Sequence, residues 1–362
     1  MDPLFYVGVM NRPADLSPLP FSRGIYACAL DPATGEMRRV FTEPAAVLES
    51  PTFLSVDSRR NVLYAVSSSD SSNAGDDLLT AHRIRPDGSL EPFSQTSSGG
   101  KNPCHTLVTS DGKWLFATNY SSGTTAVAAL QPDGSFGDVQ FQSHPYFGDG
   151  RGRQEASHPH CVTEHPGGRF LAECDLGNDR IWVWRKDPSD GTWSLRTEED
   201  FAPAPKGHGP RHAVFSPDGS RLFVFSELSC TVETFLFNEK TGRFAFQASQ
   251  PVLTPGTPAG QCAEIVSSTD GRFLYFSSRN ADVLSVFAVT AAGLLHVQQI
   301  PAGGEIPRHI TLDPSGSFLL ASCQKTGRIF SFRVDSETGR LTPTGHSVEV
   351  PWCACAVFAK HG

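Results

Sequence analysis

The sequence has few of the features that mark several large protein classes. Charged residues make up only 19% of the 362 residues, and 38 Asp and Glu outnumber 30 Lys and Arg, giving a net charge of -8. A chain without a basic excess is not expected to bind nucleic acid. No apolar run approaches the roughly 18 residues of a membrane-spanning helix, and the first residues lack the basic start of a signal peptide. We therefore expect no membrane partner and a cytoplasmic protein.

Cysteine and histidine show no spacing typical of a metal site. The nine cysteines are an odd number and are scattered, in a chain large enough to fold without crosslinks, so most are expected to be buried thiols. His158 and His160 share a strand face, but His165 lies about 16 Å further along by strand rise. Too few carboxylates accompany them for calcium. We expect no metal ion.

Long amphipathic helices are also missing, and a repeated hairpin takes their place. Gly and Pro total 60 residues, since 33 and 27 are present, a composition that favours turns and short strands. Six segments share the order strand, tight turn, strand with a common leucine, and the leucines recur roughly every 51 residues. These segments are 55–67, 107–119, 163–175, 215–227, 266–278 and 312–323.

A second hairpin follows each of these segments, so one unit has four strands. Four-stranded units at this period are typical of the blades of a β-propeller. Residues 1–45 supply three further strands, and the C-terminal CACAVFA supplies one. The sequence therefore predicts an all-β fold over 1–362, a single domain of seven four-stranded antiparallel blades. Strands from both termini share one blade and close the ring, which removes open sheet edges.

The repeat also predicts where functional side chains converge. The first strand of each marked hairpin is expected to line the central channel, so its start meets the end of the second strand at one mouth. Equivalent positions there carry different ionisable residues in different blades, as an asymmetric site on a symmetric frame requires. The residues gathered in this way, or placed beside the mouth, are His105, His160, Asp175, Arg211, His212, Glu227, Arg279, Arg308, His309 and Gln324.

This set suggests recognition of an anion beside a carbonyl group. Guanidinium groups bind phosphate or carboxylate and stabilise an oxyanion, and a histidine supplies a base near neutral pH. A long insertion before the channel strand of the third marked segment adds Arg151, Arg153, Gln154 and His158 as candidate lid or rim contacts. Its Gly-rich part has no following helix and is not expected to bind phosphate as a loop.

Several stretches resemble the seven-bladed lactonase family, which comprises bacterial 6-phosphogluconolactonases of the propeller type and fungal carboxy-cis,cis-muconate cyclases. They include SHPHCVTEHPGGRFLAECDLGND, GHGPRHAVFSPDGSRLFVFSEL and GEIPRHITLDPSGSFLLASCQ. The resemblance extends nearly from end to end. It implies that His160, Arg211, Glu227 and Arg279 are the catalytic residues and that no metal or organic cofactor is needed. The register of the repeat and the insertion, not the resemblance, add Arg308, His212, His309, His158, Asp175, Gln324 and His105 as substrate-binding residues, and His212 and His309 are also second choices for the base.

The function expected from this resemblance is hydrolysis of an anionic sugar lactone of the 6-phosphogluconolactone type. A carboxymuconate lactonizing cycloisomerase would use the same arrangement, since a histidine would pass a proton while arginines hold the carboxylates. A serine hydrolase is disfavoured because no G-x-S-x-G motif occurs. A non-catalytic propeller that binds proteins on its flat faces is the alternative from another class. The sequence does not specify whether the chain self-associates.

Overall fold

The chain folds as a ring of antiparallel β-sheets. The computed structural model describes residues 2–10, 23–68 and 77–359, and within these ranges it contains 29 strands and no helix. Among the described residues there is accordingly no helix long and apolar enough to cross a membrane. The strands form seven sheets, and the predicted seven-bladed propeller is confirmed.

The first three blades are numbered in ring order. Blade 1 contains β1 (Leu4–Val9), β2 (Ile25–Leu30), β3 (Met37–Arg39) and the last strand, β29 (Cys353–Phe358). Blade 2 contains β4 (Leu54–Asp57), β5 (Val62–Ser67), β6 (Leu78–Ile84) and β7 (Leu90–Ser97). Blade 3 contains β8 (Pro103–Val108), β9 (Trp114–Asn119), β10 (Thr124–Leu130) and β11 (Phe136–Ser143).

The remaining four blades follow the same order. Blade 4 contains β12 (Pro159–Glu164), β13 (Phe170–Asp175), β14 (Arg180–Lys186), β15 (Trp193–Ser194) and β16 (Phe201–Pro203). Blade 5 contains β17 (Pro210–Phe215), β18 (Arg221–Ser226), β19 (Thr231–Asn238) and β20 (Arg243–Pro251). Blade 6 contains β21 (Gln261–Ser267), β22 (Phe273–Arg279), β23 (Val283–Thr290) and β24 (Gly293–Pro301). Blade 7 contains β25 (Pro307–Leu312), β26 (Phe318–Cys323), β27 (Arg328–Val334) and β28 (Leu341–Glu349).

The two ends of the chain close the ring within blade 1, as predicted. Strand β29 is the innermost strand of this blade and pairs antiparallel with β1, placing Phe5 opposite Phe358 and Gly8 opposite Cys355. On its other side β1 pairs with β2. Because the closing strand comes from the far end of the sequence, blade 1 reaches four strands like its neighbours and the two termini are held together within one sheet.

The first strand of each marked hairpin lines the channel. Neighbouring innermost strands contact one another around the ring, in the order β4, β8, β12, β17, β21, β25 and β29. Apolar clusters fill the spaces between adjacent blades. Between blades 5 and 6, for example, the fully buried rings of Phe225 and Phe276 lie 4.8 Å apart. Burial against both neighbours explains why the second strands of the blades are almost continuously apolar.

Blade 4 departs from the four-strand pattern at its outer edge. Two short strands, β15 and β16, both pair with β14 where each other blade has a single outer strand. The carboxylate of Asp200, between them, accepts from Arg185 Nε at 2.8 Å and Arg196 Nε at 2.9 Å. These ion pairs hold the segment between β15 and β16 against β14.

The irregular turn of blade 2 contains a residue in the left-handed conformation, as the glycine turns of the other blades do. In the other marked hairpins a glycine such as Gly112 or Gly219 has a positive φ. In blade 2 the left-handed residue is Asn61, with a φ of 53°. Asn is the non-glycine residue that best tolerates this region, so the hairpin keeps its register without Asp-Gly.

Candidate functional site at the channel mouth

A β-bulge at the start of the channel strands carries the candidate site residues. In blades 3, 4, 5 and 7 the strand register passes from a proline to the second residue after it, and the residue between has no partner. A bulged residue is turned away from the regular alternation, and bulges often re-aim side chains at functional sites. The bulged residues are Cys104, His160, Arg211 and Arg308.

The second strand of each of these hairpins returns to the same mouth. The residue just after it donates its backbone N–H to a carbonyl just before the channel strand, over 2.7 to 3.0 Å. These bonds join Tyr120 to Asn102, Leu176 to His158, Glu227 to Gly209 and Gln324 to Ile306. The predicted meeting of strand starts and strand ends is therefore present in four blades.

Glu227 is the centre of charge at the mouth. Its carboxylate is 1% exposed and forms ion pairs with Arg211 Nε at 3.0 Å, with Arg279 Nη2 at 2.8 Å and with Arg153 Nη1. Burial alone would raise the pKa of Glu227, but the charges of Arg279, Arg211 and Arg153 lower it to about 2. Glu227 is thus an anion that fixes three guanidinium groups from two blades and the insertion segment.

The insertion segment contacts this cluster through Arg153. Besides its ion pair with Glu227, Arg153 donates from Nη2 to the Tyr120 hydroxyl at 2.9 Å. The Tyr120 ring in turn stacks on His158 with 4.3 Å between centroids and an interplanar angle of 6°. The insertion segment, residues 145–158, is thereby connected to blade 3 and to the mouth through the side chains of Arg153 and His158.

Arg308 is a guanidinium at the mouth that forms no ion pair with any carboxylate of the described residues. It lies half-buried at the bulge of blade 7, and within the described residues no ion pair or side-chain hydrogen bond involves it. Burial, followed by the charges of Arg279 and Arg211, lowers the pKa of Arg308 to about 9. The group therefore stays protonated at neutral pH, and its charge is available to an anionic ligand.

His160 occupies the equivalent bulge of blade 4, next to the arginine cluster. Its ring centroid lies 5.1 Å from that of His212 and 5.6 Å from that of Tyr120. Burial and then the charges of Arg211 and nearby cations hold the pKa of His160 well below its usual range. Its buried Nδ1 has no hydrogen-bond partner among the described residues. His160 is a neutral imidazole with one nitrogen unused by the protein.

A second layer of rings lies one residue deeper in the channel. His105, His212 and His309 follow the bulges of blades 3, 5 and 7, and their rings surround Phe53 of blade 2 at 4.3 to 5.9 Å between centroids. His212 Nδ1 lies 2.7 Å from Glu264 Oε1. Burial raises the pKa of Glu264 and lowers that of His309 to about 4. These three histidines form a floor beneath the mouth.

The other candidate residues lie beside the mouth, and their polar atoms contact other residues of the protein. The Asp175 carboxylate accepts from Ser157 Oγ at 2.7 Å, from Trp182 Nε1 at 3.0 Å and from backbone N–H groups including that of His158. Nδ1 of His158 lies 2.7 Å from the Tyr120 carbonyl oxygen. Gln324 is buried, and its Nε2 lies 3.7 Å from Met10 Sδ. These contacts shape the walls of the site.

His158, His160 and His165, the histidines that could suggest a metal site, do not form one cluster. His165 lies at the far end of β12, where its ring packs 5.1 Å from the centroid of Phe215. Across the residues that the structure describes, no three His, Cys, Asp or Glu side chains are grouped so that they could hold a metal ion.

A cavity of about 540 Å³ lies beside the mouth, between the insertion segment and blade 4. The guanidinium of Arg180 lies there between the rings of Phe147 and Phe201, at 3.7 and 4.0 Å from their centroids. None of the mouth arginines or histidines lines this cavity, so the chemistry described above belongs to the channel mouth.

Tyr120 and Arg153 complete the cluster. Tyr120 occupies in blade 3 the position that Glu227 occupies in blade 5, and Arg153, expected from the sequence only as a lid or rim contact, binds Glu227 itself. A proline-bulge-histidine pattern recurs in the chain as Pro103-Cys104-His105, Pro210-Arg211-His212 and Pro307-Arg308-His309. This pattern is the sequence signal that marks which residue is turned into the mouth.

Comparisons with known proteins agree with this architecture. The model of the family described as "Lactonase, 7-bladed beta-propeller" matches residues 5–358. A 6-phosphogluconolactonase of Bacillus subtilis is 31% identical over 344 residues, covering 93% of this chain and 95% of that protein. A 6-phosphogluconolactonase of Formosa agariphila is 29% identical over 326 residues, covering 88% and 90%.

Solved structures are similar over the whole chain. The periplasmic gluconolactonase PpgL of Pseudomonas aeruginosa superposes with a TM-score of 0.88 at 30% identity, covering 100% of both chains. A putative 6-phosphogluconolactonase from Bacteroides fragilis has a TM-score of 0.86 at 26% identity, covering 99% of this chain and 98% of that one. With the match of the family model over nearly all of the sequence, the chain belongs to the seven-bladed β-propeller lactonase family.

Proposed function

We propose that this protein is a lactone hydrolase that opens an anionic sugar lactone at the channel mouth, with 6-phosphogluconolactone as the first candidate substrate. The observation that carries the proposal is that one mouth holds both the neutral imidazole of His160 and the guanidinium of Arg308. Within the described residues, neither Nδ1 of His160 nor the Arg308 side chain has a hydrogen-bond or ion-pair partner. Relatives named 6-phosphogluconolactonase support the choice of substrate.

The charge of the mouth favours an anion. Arg153, Arg211 and Arg279 share the single carboxylate of Glu227, and Arg308 adds a fourth positive charge. A phosphate ester on the substrate would accept charge-assisted hydrogen bonds from Arg308 and would offset this excess. The protein as a whole is acidic, with a net charge of -8, so the cationic character is a local property of the mouth.

His160 is placed to act as a general base. In the proposed step, a water molecule attacks the lactone carbonyl carbon while the imidazole of His160 takes one of its protons, and the ring C–O bond then breaks. The low pKa of His160 keeps the imidazole unprotonated before the reaction. A bound anion would counter the field of Arg211 and Arg308 that disfavours the imidazolium, so substrate binding would itself increase the basicity of His160.

The arginines held by Glu227 supply the electrostatic part of the proposal. The side chain of Arg279 keeps 12% of its surface exposed while its Nη2 is held by Glu227. A preorganised donor of this kind stabilises the oxyanion of a tetrahedral intermediate. Glu227 is a positioning residue in this scheme, because it keeps the guanidinium groups in place and does not touch the substrate.

The test is a comparison of two histidine variants in a pH-stat assay. We expect the purified protein to hydrolyse 6-phosphogluconolactone above the spontaneous rate, and His160→Gln to lower kcat by about 10²-fold or more, the usual contribution of a general base. His82→Gln is the matched control, because His82 is also buried with a pKa lowered to about 4 but lies on the third strand of blade 2.

Three results would count against the proposal. Full turnover by His160→Gln would remove this residue from the role of base. A wild-type protein that hydrolyses neither the phosphorylated nor the unphosphorylated lactone would favour a non-catalytic propeller. Cyclisation of a carboxymuconate, followed by its ultraviolet absorbance, would replace lactone opening as the reaction of this site.

A further inference from the structure

Two thiols on neighbouring blades lie in direct contact beneath the mouth. Sγ of Cys230 and Sγ of Cys262 are 2.7 Å apart, and both residues are unpaired and buried. A disulfide bond is about 2.05 Å long, so the two sulfur atoms would need to approach by less than 1 Å. Cys230 lies in the turn between β18 and β19 of blade 5, and Cys262 lies in β21 of blade 6.

The two cysteines are chemically different. The thiol of Cys262 donates a hydrogen bond to Cys230 Sγ, and Ser278 Oγ lies 3.8 Å from the same sulfur. The first of these contacts, with the charge of Arg279, lowers the pKa of Cys230 despite its burial, whereas burial raises that of Cys262. Cys230 also keeps 7% of its surface exposed, while Cys262 is fully buried. Cys230 is therefore the attacking thiol and Cys262 the resolving thiol.

The pair is joined directly to the charge cluster of the mouth. The Cys262 carbonyl oxygen accepts from Arg279 Nη2 at 2.8 Å, and the Cys262 N–H donates to the Glu227 carbonyl oxygen at 3.4 Å. Cys230 follows Glu227 by three residues in the same turn. A bond between the sulfur atoms would thus connect blades 5 and 6 at the place where Glu227 and Arg279 form their ion pair.

We propose that Cys230 and Cys262 are a modification site, a dithiol that forms a reversible interblade disulfide by exchange with a small-molecule disulfide. The Cys230 thiolate attacks one sulfur of the small disulfide and releases one thiol. Cys262, losing its proton, then attacks Cys230 Sγ and releases the second thiol. The two protein thiols are oxidised to one disulfide, and the small disulfide is reduced to two thiols.

The consequence is a covalent link between two blades that otherwise meet through packing and ion pairs. The crosslink closes a loop of 32 residues in sequence separation and reduces the conformational freedom of the unfolded chain. We expect the melting temperature of the oxidised protein to be roughly 5 °C higher than that of the reduced protein, for a loop of this size in a chain of this length.

The experiment uses the full-length protein and does not depend on lactone turnover. The reduced protein is incubated with 2-hydroxyethyl disulfide, its remaining thiols are alkylated under unfolding conditions, and the products are mapped by peptide mass spectrometry. We expect one intramolecular disulfide between the peptides that carry Cys230 and Cys262, a higher melting temperature, and reversal of both by dithiothreitol.

Cys230→Ala is expected to lose both the crosslink and the increase in melting temperature. Cys262→Ala removes the second thiol of the pair and is expected to lose both as well. Cys323→Ser is the matched control, because the buried thiol of Cys323 donates to the Ala302 carbonyl oxygen at 3.5 Å and has no part in this pair. This control should keep both effects. Complete alkylation of Cys230 and Cys262 in the treated wild type would overturn the proposal, as would a crosslink without any change in melting temperature.

Discussion

Replacing Glu227 by glutamine removes the one carboxylate that three guanidinium groups share. Glutamine has nearly the same shape, so packing is preserved and the change is mainly one of charge. Arg211, Arg279 and Arg153 would then face one another, with Arg308 nearby, without a negative charge between them. We expect Glu227→Gln to lower both the free energy of unfolding and the affinity for substrate.

The magnitude follows from the pKa of Glu227. The arginines lower it from 4.5 to about 2 in the folded protein. Each unit corresponds to about 1.4 kcal/mol, so the carboxylate contributes about 3 kcal/mol of stability at neutral pH. Because the folded pKa is depressed, this contribution is present above the unfolded value of 4.5 and is lost as the pH falls toward 2. Breaking a buried ion pair typically costs about 3 to 5 kcal/mol, which agrees in size.

The assay is urea unfolding of wild type and Glu227→Gln between about pH 7 and about pH 3.5. Wild type should be more stable by about 3 kcal/mol at neutral pH, and this difference should be about 1 kcal/mol smaller at the acid end. Glu264→Gln is a control in which the pH dependence has the opposite sign. Burial raises the pKa of Glu264, so the contribution of this carboxyl group to the stability of wild type is lost as the pH rises. Relative to wild type, Glu264→Gln should therefore gain stability with rising pH.

A pH-independent difference between wild type and Glu227→Gln would refute the reasoning, since it would mean that the carboxylate charge does not hold the arginines. Equal stability of the two proteins at neutral pH would do so as well.

Three further outcomes follow from the site. The kcat/KM of wild type, which reports the protonation of the free enzyme, should stay constant from neutral pH to below pH 6.5, because the pKa of His160 is depressed and its base form persists there. Tyr120→Phe should raise KM several-fold with little change in kcat, since it removes a 2.9 Å hydrogen bond to Arg153; equal losses in kcat would contradict a positioning role. Gly177→Ala should lower stability by at least about 1 to 3 kcal/mol in urea unfolding, because the new Cβ would lie 1.7 Å from the Ala156 carbonyl oxygen.

The repeat made most of the fold predictable. Each blade uses the same hairpin, so the six marked segments determine which strands line the channel and how the termini must close the ring. The interruption of the outer strand in blade 4 was not predictable in this way. It depends on Asp200 binding Arg185 and Arg196, and side chains that meet across a loop leave no period in the sequence.

The location of the site could also be predicted, but the partners of its charges could not. Register alone brought Arg211, Glu227, Arg279 and Arg308 to one mouth. Which arginines Glu227 neutralises depends on the angle between blades 5 and 6 and on the path of the insertion that carries Arg153. Neither is encoded in the spacing of residues within one blade. The same geometry leaves Arg308 without an ion-pair partner among the described residues.

The roles of the residues beside the mouth stay predictions. Asp175 and His158 were expected to bind substrate, and the structure shows them in hydrogen bonds with Ser157, Trp182 and the Tyr120 carbonyl group. Their positions follow from the same register that places His160, but the register does not distinguish a wall residue from a ligand-binding one.

The most direct test of an anion-binding lactonase mouth is the ratio of kcat/KM for 6-phosphogluconolactone to that for unphosphorylated gluconolactone, measured for wild type and Arg308→Gln. A charge-assisted hydrogen bond to Arg308 contributes about 1.5 to 3 kcal/mol, so the ratio should fall by roughly 10- to 100-fold, with Arg308→Lys recovering part of it. If Arg308→Gln leaves the ratio unchanged, or reduces turnover of both lactones equally, Arg308 does not recognise the anion and the account of this site is wrong.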